Sequence, residues 1–377
     1  MALRSVQHDN VREHNRYAVL EALRELKSGT RAELARHTEL SVPTVTTIVS
    51  ELASLGVVAD GGPVPSTGGR PAKQHHLVPH ARNVLTLDLS GERLRAGRVD
   101  LLGDLGPTER ADDIRLGPDS YERLMDWVLS QIEREGQAGH PVSALAVAVP
   151  GVVDQATGHV RLAPALGWSA EPVGQALSEA TGLPVLLEND VNAVALGELL
   201  HGGAVGRRNV LYVSLGSGIG VALVIDGKLY RGANGAAGEF GYSLLPGLPE
   251  SGLDLGASGP LEQHLLGIAG EFLVDGVVDL GSPERAEAFG KLSHKLRLAL
   301  HNLSCVLDPE LIVVAWAADP EGQLARSLGE HWVTPLPVNI VAGSLGARAA
   351  LHGVGHLALG RLTAGLCGLE QGEWSDP

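Results

Sequence analysis

Val45, Ile48, Val49 and Leu52 recur at i, i+3, i+4 and i+7, a spacing that buries one face of a helix and that no strand satisfies. Ser41 precedes the run as a good N-cap, and Pro43 is tolerated in a first turn. Two further helices come before it. Val19, Leu20, Leu23 and Leu26 mark one face of a helix over Asn15–Leu26, with Gly29 as its expected end. Thr30 then caps a short helix reaching about Thr38, with Glu33 placed for a capping box. Three helices of this size with a tight second turn fit a helix-turn-helix, whose third helix enters a DNA major groove. Any small helical bundle shows the same stripes, so the next segment carries the distinction. Strands are expected from Gly56–Val58 and around His75–Val78, joined by the Gly- and Pro-rich loop 61–73. A hairpin there makes a winged helix-turn-helix; without one, the loop is a flexible linker. Its tip, Gly68-Gly69-Arg70-Pro71, is extended and cationic, suited to a narrow A·T-rich minor groove.

The exposed face of the third helix carries Pro43, Thr44, Thr46, Thr47 and Ser50, with no Arg, Lys, Asn or Gln for bidentate base readout. Threonine methyls against thymine methyls are the direct contacts left. Specificity then falls to Gly69 and Arg70, with Arg16, Arg31 and Arg36 expected to anchor phosphates. Charge restricts where DNA can touch: residues 1–82 hold 10 Lys and Arg against 8 Asp and Glu, and the other 295 residues hold 19 against 36. So acidic a body repels nucleic acid over most of its surface, although acidity also serves plain solubility.

Beyond Arg82 the pattern changes. Strands at Val84–Leu89 and Arg93–Asp100 and a run near Arg110–Arg115 form a meander, followed by a helix over Asp119–Glu133. A buried strand at Ala144–Val149, a turn at Pro150-Gly151, a helix near Pro172–Ala180, a strand at Val185–Glu188 and a helix at Asn192–Leu200 complete a first half. Strands at Val210–Leu215 and Val221–Ile225 restart the cycle, which predicts two α/β lobes with a cleft between them. Gly216–Gly220 looks like a dinucleotide fingerprint, but a strand pattern follows it where a helix is required. The apolar stretch Ala144–Val153 is broken by Pro150 and Gly151, and no signal peptide is recognisable, so no membrane partner and a cytoplasmic location are expected. Two cysteines, Cys305 and Cys367, offer neither a four-thiolate zinc site nor a disulfide framework.

NRYAVLEAL, ELSVPTVTTIVSELASLGVV and GGRPAK resemble the N-terminal domain of ROK-family regulators (repressors, open reading frames, kinases). AVAVPGVVD, LGW, LLENDVNAVALGE, SLGSGIG, GEFGY and GASGPLE are similar to the ROK body, in order and at fitting distances. The resemblance implies a winged helix-turn-helix over residues 1–82 and a two-lobed actin-like, ribonuclease-H-like body over 83–377. It also implies a homodimer or homotetramer and a sugar effector in the cleft. Gly151, Asn189, Asp190, Glu239 and Glu262 match residues that hold the sugar, and Tyr242 replaces a histidine among them.

The sequence departs from the family's kinases where phosphate would bind. Their D-x-G-G-T loop is Asp88-Leu89-Ser90-Gly91-Glu92 here, which puts a carboxylate where donors are needed. Their paired glycines near the nucleotide base correspond to Ala315-Trp316, and a tryptophan fills that space. Asp190 is then a relic of the catalytic base with no donor to serve. The zinc ligands correspond to Tyr242, Leu253, Leu255 and Pro260, none of which supplies thiolate or imidazole, so no metal and no cofactor are expected. The asparagine before the LGW segment corresponds to Ala165. These features predict a non-enzymatic repressor that binds a palindromic, partly A·T-rich operator on double-stranded DNA. The effector is a sugar, another small molecule, or absent. The alternatives are an ATP-dependent ROK sugar kinase and an effector-independent DNA-binding regulator.

Overall fold

The computed structural model describes residues 3–64, 72–155, 157–216, 218–245, 258–332 and 337–369. Helix α1 (Leu3–Leu26) begins well before Asn15 and ends at Lys27, which adopts a left-handed φ of 62°. Gly29 does not end the helix. It pairs with His75 in the short strand β1 (Gly29–Thr30). The capping box forms as expected at the start of α2 (Arg31–Thr38). The Glu33 amide donates to the Thr30 hydroxyl at 3.3 Å, and the Thr30 amide donates to the Glu33 carboxylate at 2.8 Å. Ser41 caps α3 (Val42–Ser54) by accepting from the Thr44 amide at 3.2 Å. Val45, Ile48, Val49 and Leu52 are buried against Val19, Leu20 and Leu23 of α1 and Leu34 of α2. Strands β2 (Val58–Val64) and β3 (Ala72–Leu77) follow as an antiparallel hairpin, and the sheet order is β1-β3-β2. The hairpin tip with Gly69 and Arg70 lies outside the described residues.

The body opens with the meander β4 (Asn83–Asp88), β5 (Arg93–Asp100) and β6 (Glu109–Arg115). Helix α4 (Tyr121–Gln137) buries Leu124 and Val128 and leads to β7 (Val142–Val149), which runs parallel to β4. A small sheet of β8 (Val152–Asp154), β9 (His159–Ala163) and β10 (Trp168–Glu171) precedes α5 (Val173–Thr181) and β11 (Val185–Asn189). The first large sheet has the order β11-β7-β4-β5-β6. Helix α6 (Asp190–His201) leaves the end of β11 and crosses to the second lobe.

There, β12 (Val210–Leu215), β13 (Ile219–Ile225) and β14 (Lys228–Tyr230) form an antiparallel run. Helix α7 (Pro260–Ala269), the hairpin β15 (Leu273–Val274) and β16 (Val277–Val278), and helix α8 (Pro283–Leu307) cover the lobe. Strand β17 (Leu311–Trp316), helix α9 (Gln323–Glu330) and strand β18 (Asn339–Ala342) complete the sheet β14-β13-β12-β17-β18. Each lobe therefore joins an antiparallel hairpin to parallel strands, as the repeated pattern in the sequence implies.

Helix α10 (Ala349–Cys367) ties these parts together. It packs along α6 with no space for side chains at two crossings. A Cβ on Gly353 would lie 1.8 Å from the Ala193 carbonyl, and one on Gly197 would lie 2.2 Å from the Ala349 carbonyl. The C-terminal end of α10 meets α1. One apolar cluster runs without a break from Val19, Leu23 and Leu52 through Val99 and Leu101 to Leu359 and Cys367. The N-terminal helices thus share a core with the body, where burial of apolar surface resists separation. Among the described residues no helix is long and apolar enough to cross a membrane.

Candidate functional site

The outer face of α3 presents Pro43, Thr47 and Ser50 as exposed residues, with Thr44 and Thr46 half-buried beside them. Their hydroxyls turn back onto the helix. Thr46 donates to the Val42 carbonyl at 2.8 Å, Thr47 to Pro43 at 3.2 Å and Ser50 to Thr46 at 2.8 Å. Thr44 and Ser41 share a hydroxyl contact of 2.7 Å. Tethering the hydroxyls leaves threonine methyl groups as the outward chemistry of this face. Arg36 is exposed, while Arg31 is half-buried and its Nε has no acceptor. Arg16 does not point outward. Only 19% of its side chain is exposed; Nη2 and Nε hold Glu51 Oε2 at 2.8 and 3.2 Å, and Nη1 donates to the Cys367 carbonyl at 3.1 Å. The expected phosphate anchor at Arg16 is therefore a strut between α1, α3 and α10, because its nitrogens are taken by Glu51 and the Cys367 carbonyl.

The cleft is built where β11 gives way to α6. Asn189 caps α6 by accepting from the Asn192 amide at 3.0 Å, and its side-chain amide donates to the Gly151 carbonyl at 2.9 Å. Gly151 has φ 143°, and a Cβ there would lie 2.1 Å from the Leu162 carbonyl, so only glycine fits. Asp190 is the first residue of α6. Partial burial, then the charges of Asp88 and Glu239, push its carboxyl up to about 7, against the pull of backbone donors at Val191 and its own amide. Glu239 is exposed overall, yet desolvation of its carboxyl and the charge of Glu262 raise it. Glu262 is half-buried and raised by burial, although its Oε2 accepts from the Ile219 amide at 2.8 Å. Burial and these two glutamates raise the Tyr242 hydroxyl. Asp190, Glu239, Tyr242 and Glu262 therefore form one electrostatic cluster, with Asn189 and Gly151 at its side.

Next to it, Asp88 is almost fully buried and its acceptors are taken. The Ser90 amide and hydroxyl donate to Oδ1 at 2.9 and 2.6 Å, and Arg95 lies 3.5 Å from Oδ2. Glu92 is exposed on the same loop. Trp316 closes β17 with 9% exposure and stacks edge-on with Phe272, ring centroids 5.9 Å apart. Ala165 lies exposed in a single helical turn, and Pro260 opens α7. Leu253 and Leu255 lie outside the described residues.

Sequence reasoning missed the charge that holds the two lobes together. Glu188 is 2% exposed, accepts from Arg231 Nε at 2.8 Å, from Asn192 at 3.0 Å and from the Asn189 amide at 3.0 Å, and forms an ion pair with Arg231 Nη2 at 2.7 Å. A lone arginine before the Gly- and Ala-rich run 232–238 was the available signal, since such a run has little else to hold a charge. Glu198 was missed too. It is 1% exposed, anchors the Ser344 and Leu345 amides at 2.7 and 2.8 Å, and so pins α6 to the turn before α10.

The family model described as the ROK family matches residues 85–264. The chain is 29% identical to a glucokinase of Streptomyces coelicolor over 311 residues, covering 72% of this chain and 96% of that protein. It is 25% identical to a xylose repressor of Caldicellulosiruptor bescii over 346 residues, covering 84% and 86% respectively. Among solved structures, a ROK family transcriptional regulator, a homologue of the E. coli MLC protein, superposes with a TM-score of 0.76. That match covers 95% of this chain and 98% of the other at 20% identity, a likeness of fold. The chain thus carries a ROK family domain over residues 85–264.

Proposed function

We propose that the chain is a DNA-binding transcriptional repressor. Residues 1–82 would act as a winged helix-turn-helix on a palindromic operator, as a homodimer or homotetramer, and a small molecule in the cleft would tune or release it. The observation that carries this reading is the double engagement of Arg16. One guanidinium grips Glu51 on α3 and the last carbonyl of α10, and α10 packs backbone to backbone on α6, whose first residue is Asp190. A ligand that moves the start of α6 has a stiff route to the helix offered to DNA, because close-packed elements shift as units.

The likeness to glucokinases makes phosphoryl transfer the rival reading. Three features weigh against it. Ser90 and Arg95 turn their donors to Asp88, Glu92 adds negative charge to the same loop, and Trp316 occupies the end of β17. A triphosphate needs free donors and room for its base, so Asp190 has no phosphoryl group to assist. A polyhydroxyl effector suits the cleft better, since clustered carboxyls with raised pKa accept and donate hydrogen bonds in their protonated forms. Selection from a random duplex pool with the full chain tests the proposal. The expected product is an enriched palindrome with A·T-rich segments, and a pool that stays random speaks against DNA binding.

A further inference from the structure

A cavity of about 190 Å3 lies beside the carboxylate cluster, walled by both lobes. That is more than the roughly 150 Å3 of an apolar cavity able to admit benzene, so there is space for a ring. Its walls mix polar and apolar surface, unlike that example. Asn189 and Gly235 line it and also line the smaller cleft that holds Glu239, so the two spaces adjoin.

The lining charges cancel in pairs. Arg231 is held by Glu188 at 2.7 Å, and Arg161 by Asp154 at 3.0 Å. A carboxylate or phosphate ligand would have to break one of these pairs, and an apolar ligand would leave polar groups without partners. A neutral ring bearing hydroxyls meets donors and acceptors of both kinds and displaces neither pair. The Asn234 carbonyl, which receives only a long 3.4 Å contact from Arg161, is one acceptor such a ring can use.

We propose that this cavity is a second subsite for a neutral sugar ring. The effector is then a disaccharide or longer glycoside whose first ring meets Asp190, Glu239 and Glu262. The proposal rests on the effector cleft argued above. Because the subsite spans both lobes, the second ring also favours one setting of the cleft.

Calorimetric titration of the full chain with glucose and xylose, and with maltose, cellobiose and xylobiose, tests it. At least one disaccharide should bind about tenfold more tightly than its parent sugar, the gain expected of one or two added hydrogen bonds. Ala233→Trp fills the cavity from an exposed position, and Arg161→Ala removes a wall. Each should bring the disaccharide to within about twofold of the monosaccharide while monosaccharide binding, the control for folding, is unchanged. Equal binding of a disaccharide and its parent, or an advantage that survives both variants, overturns the second subsite alone. Binding of no sugar overturns the subsite and the effector cleft together.

Discussion

Arg16 donates to the carbonyl of Cys367 across 3.1 Å while its remaining nitrogens hold the carboxylate of Glu51. The first bond crosses from the N-terminal helices to the body, and the second fixes α3. Arg24 makes a parallel crossing to the Leu101 carbonyl at 3.0 Å. Arg16→Met keeps much of the apolar stem and removes all of these bonds. It should cost about 1–2 kcal/mol in urea unfolding, the lower end because Arg12 also reaches Glu51. A midpoint unchanged from wild type would mean that the crossing is not a strut.

Asp190 carries a pH signature. An unfolded aspartate titrates near 4, and in the cleft the group is pushed up to about 7. Between those values the native chain holds one more proton than the unfolded chain at this site, so its contribution to stability falls as pH rises. Below about 4 there is no cost, and above about 7 the full cost applies. Asp190→Asn should therefore gain stability relative to wild type between pH 5 and pH 8, by roughly 2 kcal/mol once partial exposure is allowed for. Thermal melts at the two pH values measure this. A wild-type to mutant difference that stays constant with pH contradicts it.

The helical caps were legible because a cap is local chemistry: Thr30, Glu33 and Ser41 act within a few residues of themselves. The buried stripe of α3 was legible from its periodicity, whereas the carboxylates of the cleft were named only through the resemblance to ROK motifs. Gly29 was misjudged because its strand partner, His75, is distant in sequence. Arg16 looked like any cation on a helix, since neither Glu51 nor the end of α10 announces itself in the local sequence. The Glu188–Arg231 pair spans two lobes in the same way. Partnerships made by tertiary contact leave no local pattern.

Phosphoryl transfer gives a direct contrast with the glucokinase relatives. With Asp88 enclosed by Ser90 and Arg95, the full chain should show no ATP-dependent phosphorylation of glucose or xylose in a coupled assay. Turnover above background that disappears in Asp190→Asn would overturn this.

Phosphate anchoring and groove reading separate by their dependence on salt and sequence. Arg36→Ala should weaken all duplexes alike and lower the salt slope by about one. Arg70→Ala should cost roughly 1–3 kcal/mol and flatten the preference for A·T pairs where the wings land. Titrations on operator variants at several salt concentrations distinguish the two. Equal affinity for A·T and G·C segments in the wild type would take the wing out of base recognition.

The claim that α3 is the DNA-reading helix has its most direct test at Thr47, which is exposed and whose hydroxyl is tied to the Pro43 carbonyl. Thr47→Glu keeps the buried stripe of α3 and places a carboxylate where phosphates and bases would approach. Fluorescence anisotropy of the full chain on the selected palindrome should show wild-type binding that weakens steeply with salt, and at least about a hundredfold loss in Thr47→Glu with an unchanged melting temperature. Equal binding by the two proteins, or none by the wild type, would contradict it.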